Sequence, residues 1–384
     1  MMKRNKDELN NKEVLDTNLQ ENTEKVSKWQ EIKFLSKEKY NEIVTDLKNP
    51  IKVAVMKRKV GMKMTTILRG FLFIGLAFVI VFPIFQQLTL SIRHPIDLNN
   101  KLVNWIPENY SLFNFKISII LLDYWDGLLC NIKVSTISTI CQLFSTSLAG
   151  YAFSRLKFRG SNIIFWLVML TLIVPPQAVA LSRTFYLGDF DILAFGDNPG
   201  LFESLLGHTL RLKGEGKDIV FYITSLTGQG IRAALFIFLF RQTFRGIPIE
   251  LEESAQIDGA GIVRTFWSVM LPNARGVIVT VALFAFVWQW NDIYYTGMYE
   301  ISGETFPMLT RKLITMSEWV GNLITQPQYV DFINQVGEGI AKNSLFTETL
   351  LNCAALMMMA PLLIGYLFVQ RLFIEGVERS GIVG

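Results

Sequence analysis

Long apolar stretches recur along this chain of 384 residues, and they constrain its fold more than any other feature. The stretch 67–90 carries one charged residue, Arg69, and is long enough to cross the roughly 30 Å hydrocarbon layer of a bilayer as a helix. Charged residues make up only 18% of the chain, below the globular average of about a quarter. The sequence therefore predicts an all-α, polytopic membrane protein.

Six such stretches are predicted to be transmembrane helices. Lysine and arginine crowd at alternate ends of them, as in Arg155, Lys157 and Arg159, and the positive-inside rule places those ends and both termini in the cytoplasm. The predicted spans are about 67–90, 128–153, 163–181, 219–240, 276–295 and 350–373. They form a domain over 61–384, after a cytoplasmic N-terminal extension over 1–60 that is rich in Lys, Glu and Asn.

Proline, cysteine and histidine add further expectations. Pro175 and Pro176 fall inside the third span, where we expect neighbouring groups or water to satisfy the freed carbonyls. Cys130, Cys141 and Cys353 lie in apolar stretches without CxxC spacing, so we interpret them as packing residues. Two histidines form no metal-ligand cluster, and no metal site is predicted.

The polar segment 247–272 interrupts the apolar pattern between the fourth and fifth spans. Pro248 suits a first helical turn, and the glutamates that follow it place negative charge at the positive helix end. Gly259 reaches the left-handed C-cap conformation without a steric penalty, so this helix should end near Asp258 and Gly259. The first helix offers an acid, Glu253, beside the small residues Ser254 and Ala255, a composition that fits a partner's groove.

A second helix should follow the glycine turn. Its apolar residues recur at i, i+3, i+4 and i+7, which predicts one apolar stripe, and Leu271 and Pro272 should end the helix. The stripe consists of Val263, Phe266, Trp267 and Met270.

Hydroxyl residues in the second span have two interpretations. Ser135, Ser138 and Thr139 could line a transport pathway, or they could let helices pack closely, as small residues do in membranes. Arg232, in the predicted fourth span, is either a functional group at depth or a side chain that reaches for the interface, whereas snorkelling explains Lys133.

The spacing within 247–272 resembles the EAA loop of binding-protein-dependent ABC importer permeases. Glu253-Ser254-Ala255, three residues, Gly259, nine residues and Val269-x-Leu271-Pro272 match Glu-Ala-Ala, three residues, Gly, nine residues and Ile-x-Leu-Pro, with Ser254 and Val269 as departures. Asp258-Gly259-Ala260 extends the match to the form typical of carbohydrate-type permeases. The resemblance continues in Asn109-Tyr110, in residues 151–156 and in Trp290-Asn291-Asp292, and the C-terminal tail is similar to that of the second maltose-type permease subunit, with Val383 in place of the usual lysine.

This resemblance implies a non-catalytic permease subunit in a bacterial plasma membrane that forms half of a carbohydrate pathway by alternating access. Its implied partners are a second permease subunit, an ABC ATPase dimer that binds ATP and Mg, and an extracytoplasmic solute-binding protein, with no cofactor in this chain. Trp290, Asn291 and Asp292 join the candidate pathway residues. The resemblance also implies that the apolar stripe packs this loop on the membrane helices. The residues implied to couple the chain to the ATPase are Glu253, Ser254, Ala255, Asp258, Gly259, Ala260, Leu271 and Pro272.

Two alternatives stay open at this point. The first is an ABC permease for a solute other than sugar. The second is a secondary carrier, which should show internal repeats, broken helices and an ion site at the membrane midplane.

Overall fold

The computed structural model of this protein is mainly helical. It describes residues 37, 50–99, 106–189, 191, 201–207, 212, 218–299, 308–322, 330, 334 and 337–381. The chain divides into two compact units, residues 1–83 and 84–384. Most of the predicted extension over 1–60 lies outside the described residues, so its boundary remains a prediction.

The helices of the described residues alternate between long apolar segments and short connecting ones. In chain order they are α1 Pro50–Ser91, α2 Phe113–Leu122, α3 Tyr124–Arg155, α4 Ser161–Leu170, α5 Ala180–Gly188, α6 Leu201–Leu206, α7 Ile219–Leu226, α8 Ala233–Gly246, α9 Ile249–Ile257, α10 Ile262–Thr265, α11 Leu271–Asn273, α12 Arg275–Trp290, α13 Tyr294–Met298, α14 Leu309–Asn322, α15 Glu338–Ala341 and α16 Ser344–Gly381. Two 3₁₀ turns, Pro95–Asn99 and Pro176–Val179, and a π-turn, Phe266–Met270, join them.

Three helices in the described part of the chain are long and apolar enough to cross a membrane. They are Val53–Ser91 within α1, Tyr124–Arg155, and Ser344–Arg371 within α16. A fourth arises if Ile262–Asn273 and α12, which meet at a bend of 82°, form one span. Three of the predicted spans, 67–90, 128–153 and 350–373, therefore lie inside long helices.

The third predicted span is not one helix. Over 163–181 the chain follows α4 to Leu170, passes through turns, and enters a 3₁₀ turn at Pro176 before α5. Proline lacks a backbone N–H and its ring clashes with the preceding turn, so two consecutive prolines strongly disfavour a regular helix here. The expectation that this segment stays helical through its two prolines is wrong.

The fourth predicted span, 219–240, is also interrupted. α7 ends at Leu226, and α8 begins only at Ala233. The chain between them adopts left-handed backbone at Gly228, with φ +74°, and at Arg232, with φ +55°. Left-handed residues cannot continue a right-handed helix, so a single straight helix here is excluded.

The packed core forms around α3, which lies against α7, α8 and α12. α3 and α8 approach closely at Gly150, where an added Cβ would lie 2.5 Å from the Cβ of Phe240. Next to this contact, Phe240, Phe244 and Met270 are fully buried in one apolar cluster. The cluster joins the C-terminal halves of α3 and α8 to the segment that follows α9.

The segment between α1 and α2 is held by two polar side chains. Asp97 accepts hydrogen bonds from Asn109, at 2.8 Å from the side-chain Nδ2 and 2.7 Å from the backbone N–H. The side-chain hydrogen bond from Asn109 is the main reason that the pKa of Asp97 lies below its ordinary value of 3.8. Asn114 donates to the carbonyls of Ser91 and Arg93, at 3.1 and 2.7 Å. The Asn109-Tyr110 pair that the family resemblance singled out therefore lies in a segment held by these hydrogen bonds.

Candidate functional site

The first half of the segment 247–272 forms the predicted helix and glycine turn. Pro248 lies at the N-cap of α9 in extended backbone, with φ −54° and ψ +135°. The helix ends at Asp258, whose N–H donates to the carbonyl of Ser254 at 3.0 Å, and Gly259 follows with φ +81°. A helix therefore lies over Ile249–Ile257, with Pro248 just before its first turn and the glycine turn at its end.

The second half differs from the single helix expected. It consists of α10, the π-turn and α11, so the stripe is not continuous: Phe266 and Met270 are buried, whereas Val263 is 71% and Trp267 50% exposed. A π-turn replaces i→i+4 hydrogen bonds by i→i+5 bonds and so shifts the phase of the side chains that follow it. Spacing counted on a regular α-helix therefore does not describe this face.

Two aromatic residues of the stripe nevertheless pack against α3. The ring of Trp267 is stacked with Phe144, with centroids 6.3 Å apart, and Phe266 lies 5.3 Å from Tyr151. The aromatic contacts attach the second half of the segment to a candidate membrane helix.

The inward face of α9 carries a charged residue that sequence reasoning missed as a contact. Glu252 is buried, accepts a hydrogen bond from the hydroxyl of Tyr151 at 2.8 Å, and lies 3.3 Å from Nε of Arg155. Nη2 of Arg155 also donates to the carbonyl oxygens of Phe244, at 2.8 Å, and Ile247. We name Glu252, Tyr151 and Arg155 the inner cluster. Its signal in the sequence was a second acid next to Glu253 together with an arginine at the end of the second span.

The opposite face of α9 is open. Glu253, Ser254 and Asp258 are exposed, and Ala255 is partly exposed. Consecutive residues of an α-helix point about 100° apart, so adjacent glutamates face different surroundings. Glu252 therefore packs against the rest of the chain, whereas Glu253 faces outward.

The remaining residues predicted to couple the chain to the ATPase lie near the two ends of the second half of the segment 247–272. After the turn at Gly259, which is exposed, Ala260 is partly buried. Leu271 is partly buried against the apolar cluster, and Pro272 is exposed at the bend before α12.

The hydroxyl residues proposed for a pathway lie inside the packed chain. Ser135 and Ser138 are fully buried and Thr139 nearly so, and their side-chain oxygens have no hydrogen-bond partner within the described residues. Asn131, one turn earlier on the same face, donates to the carbonyl of Trp290 at 3.4 Å. Burial between helices supports the packing interpretation of these hydroxyls.

Two basic residues have partners that the sequence did not reveal. The guanidinium of Arg232 lies 4.6 Å from the ring centroid of Trp288, within the range of a cation–π interaction. Nζ of Lys133 lies 2.7 Å from Oδ2 of Asp218, which also accepts a hydrogen bond from Tyr222. An ion pair, rather than snorkelling alone, therefore accounts for Lys133.

The Trp290-Asn291-Asp292 sequence shapes the junction between α12 and α13, within the predicted span 276–295. Trp290 is buried, and its Nε1 donates to the carbonyl of Met358 at 3.2 Å. Asn291 is exposed and bonds within its own helix to Val287, whereas Asp292 accepts from the N–H of Thr296 at 2.8 Å and so caps α13. All three side chains thus form hydrogen bonds within the chain, and those of Trp290 and Asp292 connect to another helix.

The cysteines and the candidate metal-ligating residues of the described ranges form no site. All three cysteines are free thiols, and Cys130 and Cys353 are buried. No group of three His, Cys, Asp or Glu residues in the described ranges could hold a metal ion.

Several transport-system permease proteins are similar to this chain, and two of them align with more than half of it. The arabinooligosaccharides transport system permease protein AraQ of Halalkalibacterium halodurans is 26% identical over 333 residues, which cover 86% of this chain and 100% of that protein. The probable starch degradation products transport system permease protein AmyC of Thermoanaerobacterium thermosulfurigenes is 23% identical, covering 62% of this chain and 78% of that protein. The sn-glycerol-3-phosphate transport system permease protein UgpE of Yersinia pestis is 31% identical over 154 residues, or 40% of this chain and 45% of that protein.

The fold has a counterpart among solved structures. A bacterial ABC transporter involved in the import of the acidic polysaccharide alginate contains a chain that matches with a TM-score of 0.61 and 19% identity, covering 81% of this chain and 97% of that one. The family described as the binding-protein-dependent transport system inner membrane component matches residues 143–374, which is more than half of the chain. The protein belongs to this family of bacterial inner-membrane permease subunits of ABC importers.

Proposed function

We propose that this chain forms half of the membrane pathway of an ATP-driven carbohydrate importer. Two relatives that align with most of their own length are named for arabinooligosaccharides and for starch degradation products. Family membership makes the chain a transport subunit, and it replaces the secondary-carrier alternative. The sugar class rests on the names of these relatives and on the Asp258-Gly259-Ala260 sequence.

A phosphorylated solute is the second candidate substrate. The relative named for sn-glycerol-3-phosphate has higher local identity, 31%, over a shorter range. Uptake assays with the cognate binding protein separate the two candidates: oligosaccharides should compete for uptake under our proposal, and glycerol-3-phosphate should not.

The exposed face of α9 is our proposed docking surface for the ATPase. The observation that carries this proposal is a short helix, ended by a left-handed glycine, that presents Glu253 and Ser254 outward while Glu252 holds its other face to the chain. An exposed acid can form an ion pair with a basic partner, and a small residue beside it allows close approach. A second permease, the ATPase dimer with its ATP and Mg, and a solute-binding protein complete the proposed assembly.

We place α9 in the cytoplasm and propose six spans. In this arrangement α4 with α5, α7 with α8, and α12 with α13 form interrupted spans, in addition to the long helices α1, α3 and α16. Basic residues near the ends of α3 and α8, such as Arg155 and Arg245, favour the cytoplasmic side by the positive-inside rule, and both termini then lie inside.

Glu253→Lys tests the docking surface. In proteoliposomes that contain the complete importer, this variant should lose substrate uptake and substrate-stimulated ATPase activity while it still inserts, because the charge reversal repels a basic partner. Glu348→Lys, which reverses an exposed acid near the start of α16, is the matched control and should retain both activities. Undiminished uptake by Glu253→Lys would contradict the proposed docking surface.

A further inference from the structure

We propose that Glu252 and Arg155, with Tyr151, are positioning residues that transmit movement of α9 to α3 and α8 during transport. The proposal rests on the proposed docking of the ATPase at α9 and deepens it, because it names the route by which a movement at the docking surface reaches the membrane helices. The three side chains contact neither ATP nor the transported solute in this role.

The contacts of Arg155 join three parts of the chain at one guanidinium. It lies at the C-terminal end of α3, reaches Glu252 of α9 through Nε, and donates through Nη2 to the carbonyl of Phe244 in α8 and to that of Ile247, just before α9. Because one rigid planar group makes all of these contacts, a displacement of α9 changes the hydrogen bonds at the ends of both helices.

The inner cluster is shielded from water, which strengthens its polar contacts. The side chain of Arg155 is 12% exposed and that of Glu252 is 9% exposed. Arg155 and Glu252 form an ion pair here, and a buried charge cannot exchange its partner for solvent without cost. The connection is therefore stiff compared with an exposed ion pair.

Aromatic packing fixes the third member of the cluster. The ring of Tyr151 lies 6.0 Å from Phe244 in an edge-to-face arrangement and 5.3 Å from Phe266 in the π-turn. Its hydroxyl meets Glu252 from this fixed position. Tyr151 therefore connects both halves of the segment 247–272 to α3.

The side chain of Glu252 connects α9 to a helix that is distant in sequence. The main backbone neighbours of α9 among the described residues are α10 and the π-turn, which belong to the same segment. By contrast, the contacts of Glu252 with Tyr151 and Arg155 bridge about one hundred residues of sequence. Weakening these side-chain contacts should loosen α9 from α3 while the outward face, with Glu253, stays intact.

Glu252→Gln tests the proposal in the complete importer, with both permeases, the ATPase and the binding protein in proteoliposomes. The amide keeps an acceptor for the Tyr151 hydroxyl but removes the charge that faces Arg155. We expect the ATPase to copurify and to retain its basal activity, whereas the amount of substrate transported per ATP hydrolysed falls about tenfold, within the usual range of coupling between sites. Glu348→Gln, the same change at an exposed acid outside the proposed docking helix, is the control and should leave this ratio unchanged.

Two outcomes would overturn the proposal. One is an unchanged ratio of transport to hydrolysis in Glu252→Gln. The other is a parallel loss of ATPase copurification and transport, which would make Glu252 a residue that only folds the loop. If Glu252→Gln fails to fold, Tyr151→Phe decides: it keeps the aromatic packing, and a ratio equal to that of the unmodified importer would refute the link.

A double-mutant cycle separates a shared connection from independent effects. Arg155→Gln should lower the ratio as well, and combining it with Glu252→Gln should cost less than the product of the two single effects, because the residues act through one contact. Strictly multiplicative effects would contradict the proposal. The docking proposal can fail on its own, since uptake by Glu253→Lys tests it without changing the inner cluster.

Discussion

The two ends of α3 are held by different kinds of polar contact. At the C-terminal end, Arg155 and Glu252 form a nearly buried ion pair, and Arg155 also donates hydrogen bonds to backbone carbonyls. Nearer the N-terminal end, Lys133 pairs with Asp218, but its side chain is 56% exposed. The two ends of α3 therefore differ in how far their ion pairs are shielded from water, and the pair next to the proposed docking helix is the more shielded one.

The largest effect on stability should come from Arg155→Met. Removing the guanidinium leaves the carboxylate of Glu252 buried without its cation, which typically destabilises a protein by about 3–5 kcal/mol. The free energy of unfolding of the purified chain in mixed micelles measures this effect. If Arg155→Met lowered the free energy of unfolding no more than Lys133→Met does, the two ends of α3 would not differ as we describe.

The close approach of α3 and α8 is the next most sensitive feature. In Gly150→Ala the new Cβ would lie 2.5 Å from the Cβ of Phe240 and 3.0 Å from the backbone N of Arg241, so the helices must separate. Such overpacking costs about 1–3 kcal/mol. The same unfolding measurement checks it, with Gly246→Ala as control, because no atom lies within 4 Å of the Cβ position there. Equal effects of both substitutions would show that the approach is not tight.

The turn after α9 should be less sensitive. In Gly259→Ala the backbone must keep φ +81° with a Cβ present, which costs about 1–2 kcal/mol although the site is otherwise open. We expect a lower free energy of unfolding and a matching loss of ATPase copurification. Gly261→Ala, also at an open site but without positive φ, should leave both unchanged. A stable Gly259→Ala variant with normal copurification would mean that the turn relaxes to another conformation.

The smallest effect should come from Lys133→Met. Exposed ion pairs contribute about 0–1 kcal/mol, and salt screens them because the Debye length falls from about 30 Å at 0.01 M to about 3 Å at 1 M. The difference in unfolding free energy between Lys133→Met and the unmodified chain should therefore disappear at high salt. The difference for Arg155→Met should persist, and a salt-sensitive result there would show that water reaches the inner cluster.

Local sequence determines part of this architecture. Apolar stretches identified the segments inside α1, α3 and α16, and the spacing from Pro248 to Gly259 identified both ends of α9. Both features depend on residues that are close in sequence, where composition and backbone preference decide the outcome. The family resemblance came from the same local spacing.

Features that depend on distant residues were not predictable in this way. Whether Glu252 or Glu253 turns inward depends on Tyr151 and Arg155, which lie about one hundred residues earlier in the chain. Similarly, the buried hydroxyls of α3 face inward because other helices pack there. The break between α7 and α8 did carry a local signal, the Thr227-Gly228-Gln229-Gly230 sequence, which an apolar average over the segment concealed.

Because of the π-turn over Phe266–Met270, the number of residues in this segment also affects the angle between the helices on either side of it. Deleting one residue between Gly259 and Leu271 would allow regular α-helical hydrogen bonding, and each residue removed rotates the downstream helix by about 100°. α12 begins two residues after α11 and at a bend of 82°, so the direction in which α12 leaves the segment would change with that deletion. The number of residues in this segment therefore sets the direction of α12 as well as the distance between two motifs.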